Sequence, residues 1–479
     1  MLDNKKRNKD KDQVENNKES ELLKDAIKEV FEHALLEKNI SEDRFNEVIK
    51  NKNLFLEIFS PWHKEDEDGG LIKNFVDQID KQDFAKDFSW LNILDKDRQW
   101  EESGVEEIKK EVKDKSKHVN MRYQIPTHFH GDIDNAVIFH CMENPRGYLG
   151  SYGDNQIDSG FGETNLKEYY GKSYKLLNED NSKRKTIKKI KSILRAYSED
   201  KDVKEIIQER YQLEENAKEE ISIEHIKKII YSDTESALGR EINIYRKNKS
   251  KEFCNFDFEN EEQKSKTVLL KDYYYLKEYY SHLIQTNQKL DFKKLKGMKG
   301  KVTAIAKKIC NLEIYPFSCA QPKLAEEGVG ENILLHSNLS RLGAYIILRR
   351  IYMYLSKEKH TEKPIFVFRK YNMSWKKLFR RIISEITVGD YNTKEIMQIL
   401  EKKFFYCQLR PVGGGITSGN VISVPNYNKY LELKSDSLKN ELELGKKYKK
   451  WKEEAFKEIS DLLPRIDIDK INVKESGNE

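Results

Sequence analysis

A chain of 479 residues with a formal net charge of +5 is long enough for two to four structural units, or for one large domain with insertions. Hydrophobic residues at 37% and aromatics at 11% exclude wholesale disorder and leave enough apolar mass for a sizeable core. No apolar run approaches the roughly 18–20 residues that span a bilayer, and near-neutrality over this length restricts any contact with a polyanion to a local patch. A soluble, cytoplasmic protein with no membrane contact is expected. The opening MLDNKKRNKDKDQ carries no apolar stretch of the kind a secretory leader needs.

Residues 1–20 are almost purely Lys, Asn, Asp and Glu and read as a disordered, solvated tail. From about Glu21 the apolar residues Leu22, Leu23, Ile27, Val30 and Phe31 recur at helical spacing, which predicts an amphipathic helical lead-in and a mostly helical region over 21–120. The polar stretch HKEDEDGG at 63–70 interrupts it as a loop. In THFHGD, His128 and His130 lie two apart, a spacing that suits either a metal pair on a strand or two structural histidines. No third ligand cluster is evident, so no metal is expected. The five cysteines, Cys141, Cys254, Cys310, Cys319 and Cys407, show no C-x-x-C spacing and read as scattered reduced thiols.

None of the nine prolines lies between Gly147 and Tyr315. That stretch includes KTIKKIKSILRAY at 185–197, with its isoleucines on one helical face, and the aromatic stripe YYYLKEYY at 273–280. It predicts a large, mainly helical insertion over 166–299. Four apolar runs frame it: AVIFHC at 136–141, ICNLEIY at 309–315, PIFVFR at 364–369 and KFFYCQL at 403–409. Each is short, apolar on both faces and bounded by turn residues, as central parallel strands are. Helical patterns at 341–355 and 373–386 separate the later runs, and Ser337 or Asn338 is placed to cap the first of them. The alternation predicts an α/β domain built on a central, mostly parallel sheet flanked by helices. The core would be split between 121–165 and 300–425, and a helical extension would follow over 426–479.

Ligands of such sheets bind beyond the carboxyl ends of the strands. After the first run comes MENPRGYLGSYGD, in which Glu143, Asn144 and Pro145 form a polar turn and Tyr148 and Tyr152 offer stacking faces. Asn311 and Glu313 share strand parity in the second run and so point to one face of the sheet. After the fourth run, RPVGGGITSGN is dense in backbone N–H and small hydroxyl donors, which suits phosphate or an ordinary surface loop. It lacks the Lys-Ser/Thr ending of a nucleotide-binding loop.

Taken together, these segments resemble a known family. GDIDNAVIFHCMENPRGYLGSYGD at 131–154 is similar to the first motif of the uracil-DNA glycosylase superfamily, a strand ending in Gly-x-Asn-Pro-Gly, Gly-Gln-Asp-Pro-Tyr or Gly-Glu-x-Pro-Gly. Met142 stands in place of the first glycine and Arg146 in place of the last. CNLEIYPF at 310–317 is similar to the second strand, and PIFVFRKYNMSWKKLF to a later strand and helix. RPVGGGITSGN occupies the place of the DNA-clamping loop, with Arg410 where His or Asn is usual and without Pro-Ser-Pro.

The resemblance implies a uracil-DNA glycosylase-like fold and a DNA glycosylase that flips and excises a modified or non-standard base. It implies Glu143 and Asn144 as the catalytic pair, and Tyr148, Tyr152, Phe161, Asn311 and Glu313 as contacts to the base. Arg146, Arg410, Gly413, Gly414, Ser418 and Asn420 would hold the DNA. No cofactor is implied. DNA is the expected partner, modified phage DNA in particular, and the long insertion, which common repair glycosylases lack, is a place for a protein partner. Two other classes of function compete: a non-catalytic sensor of nucleic acid or phage protein, and a defence nuclease or toxin acting on RNA or DNA.

Overall fold

The computed structural model describes residues 2–63, 71–72, 127–144, 227, 230–240, 242, 252–254, 267–269, 275, 279–284, 299–316, 329–357, 362–386, 392–410, 414–436 and 441–464. Their strands are β1 (Phe129–His130), β2 (Ile138–Met142), β3 (Tyr231–Ser232), β4 (Glu252–Cys254), β5 (Thr267–Leu269), β6 (Ile309–Glu313), β7 (Ile365–Arg369), β8 (Phe405–Gln408) and β9 (Val421–Ser423). Seven of them form one mixed sheet in the order β3-β1-β6-β2-β7-β8-β9, and β4 and β5 pair separately. The inner four, β6-β2-β7-β8, run parallel. Antiparallel β1 and β9 flank them. The architecture is α/β.

The four apolar runs are these four parallel strands. All five residues of β2 and of β6 are buried, as central strands covered on both faces must be. The two faces nevertheless differ. One presents Phe139, Cys141, Cys310, Leu312, Phe366, Phe368, Phe405 and Cys407, all within the main core. Edge-to-face ring contacts knit it together, with Phe368 and Phe405 centroids 4.8 Å apart, an arrangement worth about 0.5–1.5 kcal/mol beyond the area buried.

Helices α1 (Leu2–Leu36), α2 (Phe45–Lys50) and α3 (Lys52–Phe59) contribute to that core. In α1 the buried residues Leu23, Ala26, Ile27, Val30, Phe31, Ala34 and Leu35 keep the three-and-four spacing of one face. The helix begins at Leu2, so the expected tail over 1–20 is helical; its described side chains from Val14 to Lys18 remain exposed. Lysine and glutamate are good helix formers, and the buried half beyond them supplies the nucleus. Lys403 fastens this stretch, donating to the Asn16 carbonyl at 2.9 Å and to Ser20 Oγ at 3.0 Å.

Helix α4 (Lys299–Lys307) leads into β6 from the other face. Four more helices complete this layer, of which α5 (Val329–His336) precedes α6 (Asn338–Leu355). Ser337 is the N-cap of α6, its hydroxyl accepting from the Leu339 N–H at 3.1 Å. Helix α6 is buried from Leu339 to Ile351 without a break, because α1 covers the side away from the sheet. It carries two buried arginines. Arg349 is ion-paired to Asp134, donates to the Ile49 carbonyl at 2.8 Å and lies over the Phe55 ring, tying the N-terminal helices to the core. Helix α7 (Trp375–Ser384) buries Trp375, Leu378, Phe379, Ile382 and Ile383, the stripe its sequence predicts. Helix α8 (Thr393–Lys403) is capped by Asn392.

The opposite face is covered by α4, by residues 279–284 and by α10 (Glu441–Asp461), which follows α9 (Val424–Asp436). Ala455 and Ile459 of α10 pack there with Ile365, Val367 and Tyr406, and Tyr406 bonds Glu458. Most of the insertion expected over 166–299 lies outside the described residues. Its described parts include β3, which joins the sheet edge, and the β4–β5 pair. No helix among the described residues is long and apolar enough to cross a membrane.

Candidate functional site

The chain enters the parallel sheet at β2, places β6 on one side, then crosses to place β7 and β8 on the other. Strand order therefore reverses beside β2, and the carboxyl ends of β2 and β7 mark the topological switch point, where doubly wound sheets bind ligands. Glu143 follows β2 directly and Lys370 follows β7 directly, and the two form an ion pair across this point. The Glu143 side chain is 7% exposed and that of Lys370 23%, so the pair lies at the rim of the core. Lys370 holds φ at +54°, a left-handed conformation that costs a lysine on the order of 1 kcal/mol. Its carbonyl accepts from the Met373 and Ser374 N–H groups, so a tight turn fixes the backbone that carries the amine.

Behind the pair lies a polar layer on the less apolar face. Parity puts His140, Asn311, Glu313, Arg369 and Gln408 on that face, and all but Arg369 are buried. Their hydrogen bonds have one consistent direction. The Ala237 N–H donates to Asn311 Oδ1 at 3.2 Å, and the Asn311 amide donates to the Tyr280 hydroxyl at 2.6 Å. Tyr280 in turn meets His140 Nδ1 at 3.1 Å, and His140 Nε2 meets Gln408 Oε1 at 2.9 Å. The Gln408 amide donates to the Gly414 carbonyl, which fixes Oε1 as the acceptor. His140 is then neutral with its proton on Nε2. Burial first, and the charge of Arg369 second, lower its pKa to about 3, in agreement with that tautomer. His140 is a strut of the layer and no proton carrier at neutral pH.

Tyr280 is the centre of the relay. Tyr280→Phe leaves the Asn311 amide and His140 Nδ1 without their partner, and each stranded buried group costs about 1–3 kcal/mol. Urea unfolding is expected to show a loss of roughly 2–6 kcal/mol; a loss within error of zero would remove the relay from the account of stability.

Arg369 closes the layer at the carboxyl end of β7. Its guanidinium lies 5.3 Å from the centroid of the Tyr279 ring, and it donates to the Tyr279 hydroxyl at 3.1 Å and to Gln408 Oε1 at 3.4 Å. Glu313, the last residue of β6, is 4% exposed, and its Oε2 has no hydrogen-bond partner. Burial drives its pKa well above the ordinary carboxyl value; the Arg369 charge opposes this and the Glu143 charge adds to it. Glu143 and Glu313 therefore sense each other at adjacent strand ends, where Met142 and Glu313 are register partners.

The loop after β8 is pinned from within. Asn420 is buried, its Oδ1 accepting from the Arg410 N–H and its amide donating to the Gly415 carbonyl, both at 2.8 Å. Gly414 has φ +123°, and a Cβ there would stand 3.2 Å from the Asn420 amide nitrogen. Asn420 and Gly414 thus shape the loop, while Arg410 and Ser418 are exposed on it and available to an anion.

Of the residues expected at the site, Glu143, half-buried Asn144, Glu313, Arg410 and the loop residues 414–420 gather at the carboxyl edge of the sheet. Asn311 sits one layer deeper, with its amide engaged by Tyr280 and Ala237. Arg146, Tyr148, Tyr152, Phe161 and Gly413 lie outside the described residues. The candidate metal pair is occupied otherwise: Trp62 donates to His128 Nδ1 at 2.5 Å, and Arg240 meets His130 Nδ1 at 2.9 Å. Among the described residues no cluster of metal-ligating side chains is present. Sequence reasoning missed Arg369, Lys370, Tyr279, Tyr280 and Gln408. The signal for the first two was the polar Arg-Lys step ending the third apolar run, in the same position as Glu143 after the first. Comparison with protein families, with curated proteins and with solved structures finds no match.

Proposed function

We propose that the chain is a DNA glycosylase with a uracil-DNA glycosylase-like fold, hydrolysing the N-glycosidic bond of a modified or non-standard base, phage DNA being the substrate and defence the setting in the cytoplasm. The observation that carries the reading is Glu143, at the switch point directly after the central strand, with its carboxylate held by Lys370. Support also comes from three of the four parallel strands, β2, β6 and β7, which lie in the segments that bear the resemblance.

A base inside a duplex must be flipped out to be reached, at a cost of a few kcal/mol recovered by stacking and edge contacts. Breaking the bond builds oxocarbenium-like positive charge on the sugar. A carboxylate at Glu143 stabilises that charge and orients the attacking water, and Lys370 fixes its direction. Arg410, Ser418 and the backbone of the 410–420 loop take the phosphates on either side. This chemistry uses side chains and water alone.

The test is incubation of the full chain, with EDTA, with plain, uracil-containing and phage-modified DNA, followed by mass spectrometry of released bases and an assay for abasic sites. Release from one substrate supports the reading and identifies the base; intact DNA in every case sinks it. A nucleic-acid sensor that has kept this architecture without the chemistry is the second reading. It is favoured by Asn311, whose amide is engaged inside the protein, and it predicts DNA binding without release.

A further inference from the structure

We propose that Glu313 is the proton donor to the leaving base, so that the enzyme excises a neutral base presenting an acceptor beside the glycosidic nitrogen, such as pyrimidine O2 or purine N3. The inference rests on the glycosylase reading and assigns its missing acid.

The argument starts from hydrogen-bond satisfaction. His140, Asn311, Tyr280 and Gln408 on this face have each found partners within the relay, and Glu143 has Lys370. Glu313 is the exception among the described side chains of the face, with Oε2 buried and unpartnered. A buried carboxylate without donors is expensive, whereas the neutral acid carries its own O–H and needs only an acceptor. The raised proton affinity, caused by burial and by the Glu143 charge, agrees with that state. Its place completes the case, since Glu313 ends β6 beside the strand that Glu143 follows, on the carboxyl edge where a ligand would lie. One carboxyl held by a lysine and a second buried without a donor divide naturally into base and acid.

The step balances. The bond between C1′ and the base nitrogen breaks, its electron pair goes to the base, and the Glu313 proton passes to the base's acceptor. Water adds to C1′ and gives its proton to Glu143. Exchange with solvent returns Glu143 to the carboxylate and Glu313 to the acid, with no oxidant or further reactant.

The experiment compares wild type with Glu313→Gln on the substrate found by base-release mass spectrometry, across pH, with thermal unfolding and DNA-binding anisotropy as controls for folding and affinity. Glutamine keeps the shape and a donor but cannot transfer a proton. The expected result is a loss of about 10²–10⁴-fold in release, the span general acids contribute, with DNA affinity unchanged and the alkaline fall of the wild-type profile abolished. Release at the wild-type rate, or the same alkaline fall in the variant, overturns the role of Glu313 and leaves the glycosylase reading standing. No release by the wild-type protein overturns that reading, and the proton donor with it. A variant that fails to fold is replaced by Glu313→Asp, which retains the acid and is expected to keep the alkaline fall.

Discussion

Glu143→Gln is expected to lower base release by about 10²–10⁴-fold, the range over which a positioned acid or base acts, while DNA affinity and the fold persist. Glutamine fills the same space at the end of β2 but carries no charge to meet the developing cation and no site for the proton of water. Lys370 loses its partner, and its side chain, 23% exposed, can turn to solvent. The stability cost therefore falls between the roughly 0–1 kcal/mol of a surface pair and the 3–5 kcal/mol of a buried one. The complementary change, Lys370→Met, strands the more buried partner and is expected to cost more stability than Glu143→Gln. Base release, DNA anisotropy and Tm on the three proteins separate these effects. Undiminished release by Glu143→Gln removes that residue from the chemistry.

Stability is expected to fall steeply on mild acidification. Burial lowers the pKa of His63 to about 4 and those of His128 and His140 to about 3. A group with a depressed folded value contributes stability that is complete above its unfolded value, near 6.5, and is lost as pH falls towards the folded one. Each histidine inside that window weakens the fold by about 1.4 kcal/mol per pH unit. Three together approach about 4 kcal/mol per unit, a large share of the 5–15 kcal/mol typical of domains. Glu313 acts in the opposite sense: its raised folded value favours the fold at low pH and is lost as pH rises. One group offsets three only in part. Calorimetry from pH 7.5 down to pH 5 should show Tm dropping once below about 6.5; a flat Tm through pH 5 contradicts neutral burial of these rings.

Much of the scaffold was legible because its signals are local. Continuous apolarity located β2, β6, β7 and β8 to within two residues, helical periodicity located α6 and α7, and parity placed Asn311 and Glu313 on one face. What could not be read depends on partners distant in sequence. Strand order is set by which helix crosses which face, and a run such as AVIFHC carries no record of its neighbours. The two-residue strands β1 and β3, at one end of the sheet, are too short for any period to register. The relay through His140 joins residues separated by 140 and 268 positions. Its members look unremarkable until the sheet assembles them. The solvated tail was misleading for a different reason, since lysine- and glutamate-rich sequence is compatible with either state and the helix over it is held by Lys402 and Lys403 from α8.

The position of β2 has a consequence for how the protein is made. It is the central strand, its five residues are all buried, and both of its neighbours are encoded later. β6 follows only after the whole of 143–308, and β7 later still. At roughly 5–20 residues per second, a ribosome leaves β2 without either partner for on the order of ten to thirty seconds. During that interval an apolar strand with two open edges is a template for pairing with other nascent chains. Yield of soluble protein should therefore depend on translation rate and on chaperones that shield the nascent strand.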